Sequence, residues 1–280
     1  MKRIAALTMA RNDEFFLHRW VAYYGSQLGN ANLYVFLDGT DQTLATPLPA
    51  EVHVTAVPHV EGERAVADRR RIDFLSAQAA RLFAEGYELV IGTDVDEFLI
   101  PDPSLGLTLP EFLCRQSFRT SLSALGIDVG QHLNEEAPLV DDLTFLQQRR
   151  YALLSDRYSK ATVLARPVSW GSGFHRVRRH NFHIASDLYL FHFGCVDYGR
   201  LRDRFANGER PAEGWEGHLL RRARTIHIIT GATPRGWEQT VARARRLQNI
   251  FRQPYAWNKP TLFCQRLVVE IPERFRTIKV

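Results

Sequence analysis

The sequence predicts an α/β protein whose first hundred residues form a Rossmann-like parallel sheet with helices on both faces. Three observations carry this reading. Short apolar runs of strand length alternate with helical spacing over residues 4–92. Polar or acidic residues follow three of those runs, at Arg11-Asn12, Asp38 to Asp41 and Asp94 to Asp96. After Pro101 the alternation stops and shorter strand-like segments of mixed order take over.

Each element has its own warrant. Ile4 to Met9 is an apolar run that reads as a strand. Asn12 or Asp13 can cap a helix whose apolar positions Leu17, Trp20, Val21, Tyr24 and Leu28 share one face, and Gly29 stops it. Leu33 to Leu37 and Val52 to Val57 are further strands, and a helix around Val66 to Glu85 leads into a buried strand from Tyr87 to Gly92. Pro101, Pro103 and Pro110 mark a linker, with a short helix over Leu109 to Gln116. Ser121 to Val129, Lys160 to Arg166 and Leu188 to Phe193 then read as strands. An amphipathic helix spans Gly236 to Arg252, its stripe made of Trp237, Val241, Ala244, Gln248 and Phe251. The expected organisation is therefore a parallel α/β half (1–100), a smaller mixed half (101–235) and a basic C-terminal helical extension (236–280).

A chain of 280 residues, 45% hydrophobic and 24% charged, has the composition of a globular protein able to bury a sizeable core. No apolar run reaches the ~18–20 residues of a membrane span. Met1-Lys2-Arg3 leads into a short strand rather than a signal peptide. Cys114, Cys195 and Cys264 have neither zinc spacing nor an even disulfide set, which suggests a reducing cytoplasm. Net charge is +5, but residues 221–280 carry thirteen Lys/Arg against three Asp/Glu, so the first 220 residues net −5. The basic end suits an anionic surface: the inner face of a membrane, an acidic glycan or lipid. No DNA-binding motif is visible, so specific nucleic-acid binding is not expected.

In an α/β sheet, ligands sit beyond the carboxyl ends of the strands. Asp94-Val95-Asp96-Glu97-Phe98 lies at such an end. Two carboxylates one residue apart suit a hard divalent cation, which takes one or two carboxylates plus substrate phosphates. A cation held there neutralises a diphosphate and makes a nucleoside diphosphate a good leaving group.

A set of segments extends this motif. Arg11-Asn12-Asp13-Glu14, His18-Arg19-Trp20-Val21-Ala22-Tyr23-Tyr24, Leu28-Gly29, Phe36-Leu37-Asp38-Gly39-Thr40-Asp41 and Asp94-Val95-Asp96-Glu97-Phe98-Leu99 occur in that order. Gln148-Arg149-Arg150-Tyr151, Tyr158-Ser159-Lys160, Gly173-Phe174-His175 and Leu190-Phe191-His192-Phe193 follow. Together, over residues 4–205, they resemble GT-A glycosyltransferases, closest to the family 2-like group and the related family 92 domain. There are departures. Asp13 splits the usual Asn-Glu, His18 stands where an acidic residue is common, Asp38-Gly39 replaces an Asp-Asn/Asp pair, and His192-Phe193 replaces His-Tyr.

The resemblance makes residues 1–100 the nucleotide-sugar-binding half and residues 101–235 the acceptor half. It implies a metal-dependent, inverting transfer of a sugar from a UDP or GDP sugar to a glycan or lipid-linked acceptor. It implies Mn²⁺ or Mg²⁺ on Asp94, Asp96 and His192. Arg11, Asn12 and Asp38 would contact base or ribose, with Asp41 a weaker version of the same role. Arg71, or its neighbour Arg70, and Lys160 would meet the diphosphate. Glu97 would support the metal or face the acceptor. Of the acids in the acceptor half (Asp128, Glu135, Glu136, Asp141, Asp142, Asp187), Asp128 is the first choice of base, with His175 as alternative base or acceptor contact. Trp170 and Phe174 would stack on a sugar ring, and Gly171-Ser172-Gly173 would let their loop move over the donor. The alternative chemistry on the same acidic edge is that of a nucleotidyltransferase or other metal-dependent nucleotide-processing enzyme.

Overall fold

The computed structural model describes residues 2–60, 62–206 and 216–280. Its first half follows the predicted alternation: β1 (Ile4–Ala10), α1 (Glu14–Leu28), β2 (Leu33–Asp38), β3 (His53–Val57), α2 (Arg64–Ala84) and β4 (Leu89–Gly92). β1 pairs parallel with β2 and with β4, and β2 pairs parallel with β3. Two apolar clusters lie on opposite faces of these strands. Ile4, Ala6, Val35 and Ile91 join the cluster under α1, while Ala5, Leu7, Phe36 and Val90 join Ile72, Leu75 and Leu82 of α2. Alternate residues of a strand point to opposite faces, so one sheet buries both its sides beneath helices.

The second half is mixed: β5 (Glu97–Pro101), α3 (Leu109–Arg115), β6 (Ser121–Gly130), α4 (Phe145–Gln148), β7 (Tyr151–Leu154), β8 (Val163–Leu164) and β9 (Ile184–Cys195). Thr108 and Glu111 form a capping box that starts α3. The two-residue β8 joins the halves, pairing antiparallel with β4 on one side and β6 on the other. β6 lies beside β9 in parallel, and β9 holds β5 antiparallel. The α/β architecture is as expected, with a parallel half continued by a mixed one. The structure also holds strands not foreseen from sequence: β5, whose start lies inside the Asp94–Phe98 motif, and β7.

The C-terminal region differs more from expectation. After α5 (Tyr198–Ala206), α6 (Glu216–Gly231) and α7 (Trp237–Ile250) comes a small hairpin of β10 (Arg252–Gln253) and β11 (Ala256–Pro260). β12 (Leu267–Glu270) then adds to the main sheet against β7, and Val280 is buried with Phe275 in the large core. Residues 236–280 thus contain the predicted helix but complete the sheet rather than extend from it.

One ion pair ties this end to the turn after β5. Arg274 grips buried Asp102 with two bonds, Nε to Oδ1 at 2.7 Å and Nη2 to Oδ2 at 2.8 Å. Burial raises the Asp102 pKa, but the Arg274 bond outweighs it and holds the carboxyl below its ordinary value. A depressed carboxylate adds stability that is present above its unfolded pKa and is lost as pH falls through the folded one. Arg274→Met should therefore cost roughly 1–3 kcal/mol at neutral pH. The melting-temperature gap to wild type should shrink below about pH 4, the range of an unfolded aspartate. Melts of both proteins from pH 7 to pH 3 check this, and a gap that widened in acid would contradict it.

Candidate functional site

Helix α1 fixes the acidic turn. Trp20 Nε1 donates to Thr93 Oγ1 at 2.8 Å, and Thr8 Oγ1 of β1 donates to the Thr93 carbonyl at 2.9 Å. Tyr24 Oη donates to the Glu97 carbonyl at 3.3 Å and accepts from the Leu99 amide at 3.0 Å. Tyr23 Oη donates to the Leu99 carbonyl at 2.8 Å. All three aromatic rings are buried, so their polar tips need partners, and the backbone of 93–99 supplies them. The buried polar tips explain why an otherwise apolar helix face carries Trp20, Tyr23 and Tyr24.

At that turn, two cations converge on Asp94. Lys160 Nζ lies 2.7 Å from Oδ2 and Arg71 Nη1 lies 2.7 Å from Oδ1, with Arg71 also bonded to Asp68. The Lys160 ammonium is buried and also contacts Glu97 Oε1 at 2.5 Å. Burial alone would raise the Asp94 pKa, but Lys160 and Arg71 override it and hold the carboxyl well below the carboxylate range. Glu97 goes the other way. Burial and the charges of Asp94 and Asp96 outweigh Lys160 and push it up to about 7. Lys160 is itself disfavoured by burial yet raised by its two carboxylates, so it stays charged. Arg71 does this, rather than Arg70, because residue 71 stands on the side of α2 that meets the turn.

Asp96 and His192 form a second, deeper pair. β9 runs between β5 and β6, so His192 is in register with Glu97 on one side and Asp128 on the other. His192 Nδ1 bonds Asp128 Oδ1 at 2.6 Å, and Thr225 Oγ1 donates to Asp128 Oδ2 at 3.0 Å. Tyr158 stacks on the imidazole, centroids 3.8 Å apart. His192 Nε2 faces Asp96 Oδ2 at 3.4 Å and is buried without a hydrogen bond. Burial lowers the imidazole pKa, but Asp96 and Asp128 overcome it and lift it to about 9. Gly194 borders the same gap. A Cβ there would stand 2.6 Å from His192 Nε2 and 2.9 Å from Asp96 Oδ2.

This arrangement bears on a cation. Among the described residues, no three His, Cys, Asp or Glu side chains are grouped to hold a metal ion. The expected set of Asp94, Asp96 and His192 is split, because Asp94 turns to Lys160 and Arg71. Asp96 and His192 could hold one ion once it displaces the proton that the two carboxylates keep on the imidazole at neutral pH. The orphaned Nε2 and the space that glycine leaves are what a ligand pair needs, and Asp128 anchors the far nitrogen of the ring as an outer carboxylate does for metal-bound histidines.

The rim of the sheet edge comes from the loops after β1 and β2. Arg11 donates to the Asp38 carbonyl at 2.5 Å and to Asp41 at 3.2 and 3.3 Å. Gly39 has φ +130°, and a Cβ there would sit 2.2 Å from both Arg11 Nη1 and Asp41 Oδ1, so glycine permits this crossing. The Asp38 carboxylate faces His59 Nδ1, with both oxygens at 3.0 Å. Asn12 is exposed with φ 49°, and its amide donates to Gln42. Glu14 accepts from the amides of Ala45 and Thr46, which folds this loop over the start of α1.

Several expectations are corrected. Asp128 is buried behind His192 and bonded to it and to Thr225, so it positions the ring and does not face an acceptor. Glu97 is fully buried against Lys160 and likewise faces no acceptor. Trp170 and Phe174 are core residues packed edge to face, with Trp170 Nε1 donating to the Ala161 carbonyl at 2.8 Å. They anchor the chain beside Lys160, and with both rings buried the 171–173 turn is pinned rather than poised over a donor. His175 is half-buried. Burial, with the charges of Lys160 and Lys259, drives its imidazole pKa down to about 3, so it is a neutral hydrogen-bonding group and a weak base. The role of Thr225 carried no sequence signal, since its partner lies 97 residues away. Tyr158 belongs to a segment that carries the resemblance, but its stacking on His192 had no sequence signal, and His59 had none at all.

No protein-family model and no curated protein matches this chain.

Proposed function

We propose that the protein is a GT-A-like glycosyltransferase that takes a UDP- or GDP-type sugar as donor and uses Mn²⁺ or Mg²⁺. The observation that carries this reading is the convergence at the ends of β4 and β5. Lys160 and Arg71 meet on Asp94, while Asp96 and His192 face each other across the gap that Gly194 leaves open. Two fixed cations suit the oxygens of a diphosphate, and Arg71 has the planar donors to meet two at once. Asp96 and His192 would hold the divalent cation, whose chemistry is to neutralise the leaving diphosphate. Arg11, Asn12, Asp38 and His59 line the rim where base and ribose would lie. Glu97 keeps Lys160 in place, and Asp128 with Tyr158 keeps His192 oriented. The acceptor is a glycan or a lipid-linked sugar.

Thermal shift with UDP, GDP, CDP and ADP, each with and without Mn²⁺, tests the donor site. A ligand at a hundred times its Kd stabilises the folded state by about 2.7 kcal/mol, worth roughly 5–10 °C in a chain of this size. One nucleotide should raise the melting temperature only with Mn²⁺, and the Asp94→Ala/Asp96→Ala protein should not respond. If no nucleotide and no intact nucleotide sugar shifts the melt, with or without metal, the reading fails.

A further inference from the structure

The hairpin of β10 and β11 and the end of α7 bear an apolar surface that the site does not use. Thirteen large hydrophobic side chains are exposed among the described residues, and five of them, Ile250, Phe251, Tyr255, Trp257 and Phe263, fall within fourteen consecutive positions. Tyr255 is 75% exposed, Trp257 59% and Phe263 56%. Isolated exposed hydrophobics need no explanation, but a cluster of this kind marks a surface that meets something.

The hairpin holds its aromatics out on a rigid base. Along β11, Ala256, Asn258 and Pro260 point inward and Trp257 points outward, the two-residue period of a strand. Buried Asn258 donates to the carbonyls of Val177 and His180 at 2.8 and 3.1 Å. Gln253 and the Leu262 amide both bond Asp156. Phe251 and Phe263 stack edge to face at 4.9 Å across the base of the hairpin. Tyr255 and Trp257 stand out from this braced base and stay largely in solvent.

Charge identifies the occupant. From Gln239 to Val269 there is no Asp or Glu, and the same stretch carries Arg243, Arg245, Arg246, Arg252, Lys259 and Arg266. Lys259 Nζ lies over the Tyr255 ring at 5.7 Å. Trp and Tyr flanked by Lys and Arg, with no acidic residue among them, is the composition that settles in the headgroup region of an anionic bilayer. Rings enter the acyl boundary while the cations remain among the headgroups. No helix among the described residues is long and apolar enough to cross a membrane, so this contact would be peripheral.

We infer that the 250–263 hairpin, with the exposed arginines of α7, docks the protein on an anionic lipid surface. The docking does not depend on the transferase reading. Its effect on the site is geometric, because the loops that brace the hairpin, around Asp156 and Arg176 to His180, adjoin Lys160 and His175 in the chain.

Flotation with lipid vesicles tests it. Wild type should float with mixed phosphatidylcholine–phosphatidylglycerol vesicles, less so as salt is raised, and should stay behind with phosphatidylcholine alone. Tyr255→Ser/Trp257→Ser/Phe263→Ser should weaken partitioning about tenfold or more, from the loss of inserted rings. Arg243→Gln/Arg246→Gln should weaken it and flatten the salt dependence. Each variant's melting temperature shows that it folds, and Trp257→Ser alone serves if the triple change does not. No flotation of wild type overturns the inference, and so does unchanged flotation of the folded apolar variant. Light scattering supplies another contrary outcome: a wild-type dimer that the apolar change dissolves, with no vesicle binding, would assign the face to a second copy of the chain.

Discussion

On the transferase reading proposed above, replacing Asp96 by alanine should abolish metal-dependent donor binding and cut sugar transfer by about a thousandfold, the equivalent of roughly 4 kcal/mol of charge stabilisation on a leaving diphosphate. The buried position makes the reason specific. Asp96 faces a histidine whose Nε2 has no hydrogen bond and whose Nδ1 is held by Asp128. Without the carboxylate, one neutral nitrogen is left to hold a hard cation that prefers oxygen ligands. Gly194→Ala isolates the same space without removing any ligand. Its methyl would crowd His192 Nε2 and Asp96 Oδ2, and residue 194 has no positive φ to make alanine strained. Mn²⁺ affinity should fall about tenfold or more, a loss of at least about 1.4 kcal/mol. Calorimetric titration with Mn²⁺ reads both variants. If Gly194→Ala binds Mn²⁺ as wild type does, the cation does not sit between Asp96 and His192.

Lys160→Met should be the most destabilising single change in the site. The ammonium is buried and touches Asp94 and Glu97, and the Coulomb gain from those two carboxylates outweighs its burial. Removing one partner from a buried ion pair costs about 3–5 kcal/mol, because the other charges stay buried and uncompensated. On the proposed reading nucleotide affinity should fall as well, since a fixed cation beside the diphosphate would be lost. A second change separates the two effects. Glu97→Gln on top of Lys160→Met removes the carboxyl that loses its partner and must otherwise take up a proton, and should restore part of the stability while leaving nucleotide binding weak. Denaturant melts and nucleotide titrations of the single and double variants check this. Recovery of affinity together with stability would mean that Lys160 acts only as a structural counter-ion.

Much of the first half was legible in the sequence. β1, α1, β2, β3, α2 and β4 lie within a few residues of the positions that apolar periodicity and the Gly29 stop predict. Parallel strands buried on both faces are strong local signals. β5 was hidden because it begins inside the acidic motif and ends at Pro101. β12 was hidden because four residues, Leu267–Glu270, carry too little pattern to announce a partner more than a hundred positions earlier in β7. The aromatics show where local pattern fails. Trp170 and Phe174 sit in a glycine-rich stretch that suits a sugar contact and are core, whereas Tyr255 and Trp257 carry no sequence signal and are exposed. Periodicity reports burial only where an element is long enough to repeat.

By itself the sequence determined the order of strands and helices, and with it the edge on which Arg11, Asp38, Asp94 and Asp96 fall, because chain alternation and the right-handed crossover allow few other arrangements. Only the tertiary structure decided what those residues do to one another. It turned Asp94 toward Lys160 and Arg71, withdrew Asp128 behind His192, and left Asp96 and Nε2 facing across Gly194. Those outcomes depend on register between strands distant in sequence and on the burial of charge. A carboxylate's partners and its desolvation are properties of its neighbours in space, which the local chain does not encode.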